Sequence, residues 1–341
     1  MNSRKLITLM LVMLALAACH DSKDEPVPDP NFKETTLYLA SNGFAGYPEF
    51  IVNLDGDTVY LCEDEESSIQ SLVGEGSDWY AVIRVEDGLF NVVKNGNSIH
   101  MTGENIRCFT VENGAIYTVQ ENGLSGKIWL CKDFQRIYEI PSTAYPNTFS
   151  VDHGHVAMGV YDEKPCYWYN GEIIPIEGLE GGFDWVYGID KKGDDLLITY
   201  QDIPTGNDLY WWKGAAHEFS SWFNPKCSQI VNGQAYILGR KITTPIGGGV
   251  DGVATVIIDG AETILTDIIG SSAEQIVVDK DNTYILVRCG RFTDIYKNLE
   301  TITLPDIEMP DFYKGFYSWH QDGKMNLSEV GIKAMAVVER R

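Results

Sequence analysis

Basic residues are scarce in this chain: 26 Lys and Arg stand against 49 Asp and Glu over 341 residues, a formal charge of −23. A field of that sign repels phosphate backbones, so nucleic acid is excluded as an expected partner. It also disfavours adsorption to anionic lipid, so any membrane attachment has to come from a covalent or inserted anchor. The short motifs of common chemistries are missing as well. There is no Gly-x-Ser-x-Gly elbow for a serine nucleophile and no His-Glu-x-x-His pair for zinc. None of the seven cysteines forms a Cys-x-x-Cys pair, which removes zinc-ribbon and thioredoxin readings. After residue 35 no long segment sustains helical periodicity.

What is present after that point is strand. Short runs rich in Val, Ile, Tyr, Trp and Thr recur between Gly, Asn and Asp turns, and one turn signal returns seven times. It stands at Asp55-Gly56, Asn95-Gly96, Asp133-Phe134, Asn170-Gly171, Lys213-Gly214, Asp259-Gly260 and Asn298-Leu299, at spacings of 40, 38, 37, 43, 46 and 39 residues. Asn-Gly and Asp-Gly suit the positive φ angles of two-residue hairpins. Three residues earlier sit Val52, Val92, Leu130, Tyr167, Tyr210, Val256 and Ile295, all apolar, as an inward strand position requires.

A second turn series is offset by about half a unit: Gly76, Asn113-Gly114, His153-Gly154, Gly193, Asn232-Gly233, Asp281-Asn282 and Asp322-Gly323. Two hairpins per unit make four strands, the blade of a propeller. The expected fold is therefore an all-β, seven-bladed β-propeller with four-stranded blades over residues 36–341, six or eight blades being the alternatives. The first unit, from Leu37, lacks an inner strand. Phe316 to His320 resembles one, so the two ends are expected to complete one blade; Lys333 to Val338 has no assigned place beyond a possible further strand there.

The N-terminus carries its own signal. Arg4 and Lys5, an apolar run from Leu6 to Leu14 and small residues Ala17-Ala18 read as a secretory signal over residues 1–18, too short for a lasting membrane span. Leu16-Ala17-Ala18-Cys19 resembles the lipobox of bacterial lipoproteins, which implies cleavage before Cys19 and diacylation of its thiol. Residues 19–35 are then a lipidated Cys and an acidic, Pro-punctuated tether. The tether resembles the acidic signal that sends Bacteroidota lipoproteins to the cell surface. With anchor, tether and blade rhythm together, the chain resembles the β-propeller lipoproteins of Bacteroidota. The resemblance implies a place in the outer membrane, facing the cell surface or else the periplasm.

The insertion Lys241 to Gly252 is glycine-rich but lacks the Gly-Lys-Ser/Thr ending and a following helix, so it reads as a surface hairpin bordering a site, not a nucleotide cradle. Asp152, His153 and His155 sit around one turn with no further well-placed ligand nearby, and no metal or other cofactor is expected. Cys62, Cys108, Cys131, Cys166, Cys227 and Cys289 are expected in the core. Ten aromatics crowd between Phe183 and Phe223; most belong in blade packing, with Trp211 and Trp222 the candidates for exposure and ligand binding. No catalytic residue is identifiable. The first expectation is a non-enzymatic binder of a glycan or protein partner, held to the membrane by its lipid. The alternatives are a hydrolase or lyase acting on polysaccharide, and an envelope assembly scaffold, by analogy with the propeller of the outer-membrane assembly machinery.

Overall fold

A computed structural model describes residues 35–41, 48–62, 66–85, 88–160, 164–219, 222–246, 249–279, 282–290, 292–308 and 324–339. Cys19 with its tether, Gly247-Gly248, Asp281, Phe316 to His320 and Asp322-Gly323 lie outside the described residues. Seven four-stranded antiparallel sheets stand in a ring, a seven-bladed β-propeller. The closing blade holds β1 (Thr35–Ser41), β2 (Phe50–Asn53) and β3 (Thr58–Leu61). Blade 1 follows with β4 (Ser68–Glu75), β5 (Asp78–Arg84), β6 (Phe90–Lys94) and β7 (Asn97–Thr102), and blade 2 with β8 (Asn105–Glu112), β9 (Ala115–Glu121), β10 (Ile128–Lys132) and β11 (Gln135–Ile140). Blade 3 is β12 (Ala144–Asp152), β13 (His155–Val160), β14 (Cys166–Tyr169) and β15 (Glu172–Pro175). Blade 4 is β16 (Phe183–Lys192), β17 (Asp195–Asp202), β18 (Asp208–Trp212) and β19 (Ala215–Glu218). Blade 5 is β20 (Phe223–Val231), β21 (Gln234–Ile246), β22 (Gly249–Ile258) and β23 (Ala261–Ile264). Blade 6 is β24 (Ser271–Asp279), β25 (Asn282–Cys289), β26 (Phe292–Lys297) and β27 (Glu300–Ile302).

The outer hairpins form for a reason visible at their tips. In blades 1 to 6 both central turn residues have positive φ, from 47° to 100°, the geometry whose twist matches paired strands. Five of these turns carry Asn or Asp first, and its side-chain oxygen accepts a backbone N–H from the second strand. The pairs are Asn95 with Trp79, Asp133 with Ile116, Asn170 with Val156, Asp259 with Ala235 and Asn298 with Thr283, at 2.8–3.0 Å. Each turn thus ties its own hairpin to the preceding one. Lys213 is the exception: it holds φ 50° without an accepting side chain. The Ile198–Trp211 register puts it opposite Leu196. Lys213→Asn is expected to stabilise the protein by about 1 kcal/mol, raising the melting temperature by roughly 2 °C; an unchanged or lower melting temperature would count against this account of the turns.

Side chains alternate across each strand, so every blade packs against both neighbours. The buried apolar residues fall into seven clusters, one at each junction between adjacent blades. All seven apolar positions expected to face inward are buried. In the closing blade, however, Val52 packs on blade 6 while Ile51 packs on blade 1. There the connection between β2 and β3 spans four residues rather than two, with positive φ at Gly56 but not Asp55, and counting back from Asp55 lands on the other face.

The ring closes differently from the sequence expectation. The inner place in the closing blade belongs to β30 (Ile332–Glu339), not to Phe316 to His320. β30 pairs antiparallel with β1 from Thr35↔Glu339 to Ser41↔Ile332. It follows a small hairpin of β28 (Asp306–Glu308) and β29 (Lys324–Asn326) and one helical turn, Leu327–Val330, capped by Asn326. Ala, Met, Lys and Glu in Ile332–Glu339 are weak strand formers, and no Asn-Gly turn announces the segment. Its partners hold it from both sides. Gln275 donates to the Met335 carbonyl at 2.9 Å and accepts from its N–H at 2.8 Å, the Thr293 hydroxyl accepts from Ile332 N–H at 2.8 Å, and Lys333 pairs with the buried Glu49.

Candidate functional site

Antiparallel order divides the connections between two faces. The first-to-second turns of blades 1 to 6 and the third-to-fourth turns of every blade share one, the turn face; the second-to-third loops and the crossings between blades share the other, the loop face.

Carboxylates on the turn face serve the ring. The acid ending one inner strand accepts N–H groups from the first turn of the next blade: Glu75 from Gly114 at 2.8 Å, Glu112 from His153 and Gly154 at 2.8 and 2.7 Å, Asp152 from Gly193 at 2.9 Å. An acid placed just before a glycine turn, one repeat apart, was the available signal in the sequence. Asp152, His153 and His155 line one small turn-face cavity but point to different partners. His153 Nδ1 lies 3.2 Å from Asp152 and its ring is out in solvent, while His155 Nδ1 meets the Asn170 amide at 2.6 Å. Among the described residues no group of three or more His, Cys, Asp or Glu is placed to hold a metal ion.

The loop face has a cleft of about 500 Å³ where blade 4 passes into blade 5. Its floor is aromatic. Phe219 packs on Phe223 with ring centroids 4.9 Å apart and on Tyr210 at 5.2 Å, which links the floor to the core. Trp222 stands at the edge, 74% exposed, its backbone carbonyl fixed by the Ile242 N–H at 2.8 Å. Ile242 comes from the extended β21–β22 hairpin, so the glycine-rich insertion does border this site. Trp211 does not belong to it. It is 5% exposed and packs between blades 3 and 4, whereas Tyr210 and Trp212 pack between blades 4 and 5. Strict alternation along β18 buries all three, because both faces of a blade are covered.

The polar wall comes from β17, β18, the loop between them and the end of β19. Gln201, Asn207, Asp208 and Glu218 line the cleft. The loop is built on buried Asp202, whose carboxylate accepts from Thr205 N–H at 3.0 Å and Oγ1 at 2.7 Å while its carbonyl accepts from Gly206 at 2.7 Å. Asn122, Ser125 and Gly126 repeat that design in blade 2, where Asn122 Oδ1 accepts from Leu124 and Ser125. The shared Asx-x-x-Ser/Thr-Gly spacing was readable in the sequence and was missed. Burial pushes the Asp208 carboxyl above its ordinary range, against the pull of a hydrogen bond from the Tyr187 hydroxyl at 2.7 Å. Burial, with that carboxylate as acceptor, pushes the Tyr187 phenol up.

The six cysteines of the ring form no disulfide with one another. Burial pushes the Cys108 thiol up to about 12 and those of Cys131, Cys227 and Cys289 to about 11, which holds them protonated and unreactive near neutral pH.

No protein-family model and no curated protein matches the chain. Solved structures are distantly similar to it. The computationally designed Ika8 protein is 13% identical, with TM-score 0.48 over 79% of this chain and 82% of that one. The N-terminal domain of Nup159 is 9% identical, with TM-score 0.42 over 81% and 83%. BamB from Moraxella catarrhalis is 11% identical, with TM-score 0.39 over 59% and 63%. At such identities and scores none of them bears on a ligand or an activity.

Proposed function

We propose that this protein is a lipid-anchored binding propeller that holds neutral glycan chains on its loop face without turning them over. The observation carrying the proposal is Trp222, a large flat apolar surface 74% exposed over a cleft walled by amides and carboxylates. Sugar rings present an apolar face for stacking and hydroxyl groups that donate to carboxylates and pair with amides, which is the chemistry this wall offers. Asp208, Glu218 and a chain charge of −23 repel sulfated or uronic polysaccharide, so the ligand is neutral.

Electrophoresis of the folded protein through gels cast with polysaccharide tests this. Neutral glycans are expected to retard it and anionic ones are not, and Trp222→Ala should cost roughly tenfold or more in affinity with an unchanged melting temperature. Equal retardation of wild type and variant would overturn the reading.

Attachment through Cys19 belongs to the same proposal. The lipobox resemblance supports it, the tether supplies reach, and no described helix is long and apolar enough to cross a membrane. Cys19→Ala is expected to move the protein from the outer-membrane fraction to the soluble fraction and to abolish labelling by radioactive palmitate. Membrane retention of that variant would contradict it.

A second reading rests on the raised Asp208 carboxyl with Glu218 in the same cleft, since glycoside hydrolysis needs one protonated acid beside a second carboxylate. Release of reducing ends from a retained polysaccharide, lost in Asp208→Asn, would favour that reading over simple capture.

A further inference from the structure

Among the described residues Trp185 is the second exposed tryptophan on the loop face, 52% exposed near the start of the inner strand of blade 4. Its exposure is built. Phe183 and Val186 both pack into the junction of blades 3 and 4, a spacing of three that an unbroken strand does not permit. A bulge between Phe183 and Trp185 supplies the extra residue and turns the indole out of the core. Tyr145 of blade 3 braces the bulge: its hydroxyl donates to the Asp184 carbonyl at 2.8 Å, and its ring lies 5.1 Å from the Trp185 ring at 57°. Across the ladder Trp185 is paired with Gln201, and Gln201 lines the cleft that Trp222 edges.

We infer that the binding site is a track, in which one linear neutral glycan lies across Trp222, passes the amide of Gln201 and reaches Trp185 at the inner strand. The inference rests on the reading that the cleft takes a glycan, and adds that the ligand is an extended chain. Two aromatic platforms separated by a hydrogen-bonding amide match a polymer whose rings repeat along its length. A monosaccharide would fill the Trp222 end alone.

Calorimetric titration with neutral oligosaccharides of increasing length, taken from the polymer that retards the protein, separates the two claims. Wild type should gain affinity with length until both platforms are covered. Trp185→Ala should bind the shortest ligand as wild type does and the longest about tenfold more weakly, while Trp222→Ala weakens every length. If Trp185→Ala lowers the melting temperature, Trp185→Gln serves in its place. Wild-type affinity of the Trp185 variant at all lengths, or an equal loss at all lengths, overturns the track and leaves the Trp222 cleft standing. Unweakened binding by the Trp222 variant, or no binding of any neutral glycan, overturns both.

Discussion

Deleting residues 332–341 is expected to abolish cooperative folding of the whole ring. β30 is the inner strand of the closing blade, and its loss strips the ladder from β1, leaving an unpaired edge beside blade 1. Ile332, Met335, Ala336 and Val338 leave the two hydrophobic clusters on either side of the blade. Removing buried side chains of this size costs about 1–5 kcal/mol each, so together they approach the roughly 5–15 kcal/mol that stabilises a typical protein. Gln275 and Glu49 would also lose Met335 and Lys333. A point variant probes the same seam. A β-carbon on Gly74 would lie 1.9 Å from the Val337 carbonyl oxygen, so Gly74→Ala forces the inner strands of blade 1 and the closing blade apart. Thermal melts followed by circular dichroism should show a broad, early transition for the truncated chain and a lowered one for Gly74→Ala. A sharp transition at the wild-type temperature in the truncated chain would contradict closure by β30.

Asp190→Ala should weaken the junctions on both sides of blade 4. This buried carboxylate on blade 4 accepts from Ser150 Oγ of blade 3 and from the Ile230 N–H of blade 5 at 2.7 Å, with Lys192 Nζ 4.0 Å away. Alanine leaves donors from two neighbouring blades without their acceptor, at about 1–3 kcal/mol each. Urea unfolding should show a loss of roughly 3 kcal/mol; a loss below 1 kcal/mol would mean water or relaxation replaces the bonds.

The pH dependence of this site has a definite sign. Burial holds the Asp190 carboxyl above its ordinary value of 3.8, against the pull of Lys192 and the hydrogen bonds. The folded state therefore binds the proton more tightly than the unfolded chain, and the contribution is full below the unfolded pKa and declines as pH rises through the folded one. The stability gap between wild type and Asp190→Asn, which cannot titrate, should be larger at about pH 4 than at about pH 8. A gap that widened with pH would show that the charged form is the favoured one.

Much of the ring could be read from the chain because hairpin tips are local. Asn170-Gly171 and its counterparts need positive φ whatever surrounds them, so their period of about 40 residues exposed the blades directly. The closing strand was harder, since Ile332–Glu339 is a strand only because β1, Gln275 and Thr293 hold it there. The site was half legible. Trp222 lies on a crossing between blades, where no ladder covers it, but Trp211 lies in a strand whose two faces are both buried. Trp185 reads with the blade-packing aromatics, because the bulge that turns its indole outward leaves no mark in the sequence. The amide and acid wall was invisible, as Gln201 and Glu218 meet through the fold and not through spacing.

Hydrogen–deuterium exchange of the full chain with and without the retarding neutral glycan tests where the ligand sits. Slower exchange should be confined to the loop-face backbone around residues 183–186, 201–208, 218–219, 222–223 and 242, with the turn-face segments 112–115 and 152–155 unchanged. Protection on the turn face, or no protection in the loop-face segments at saturating glycan, would contradict a site at Trp222.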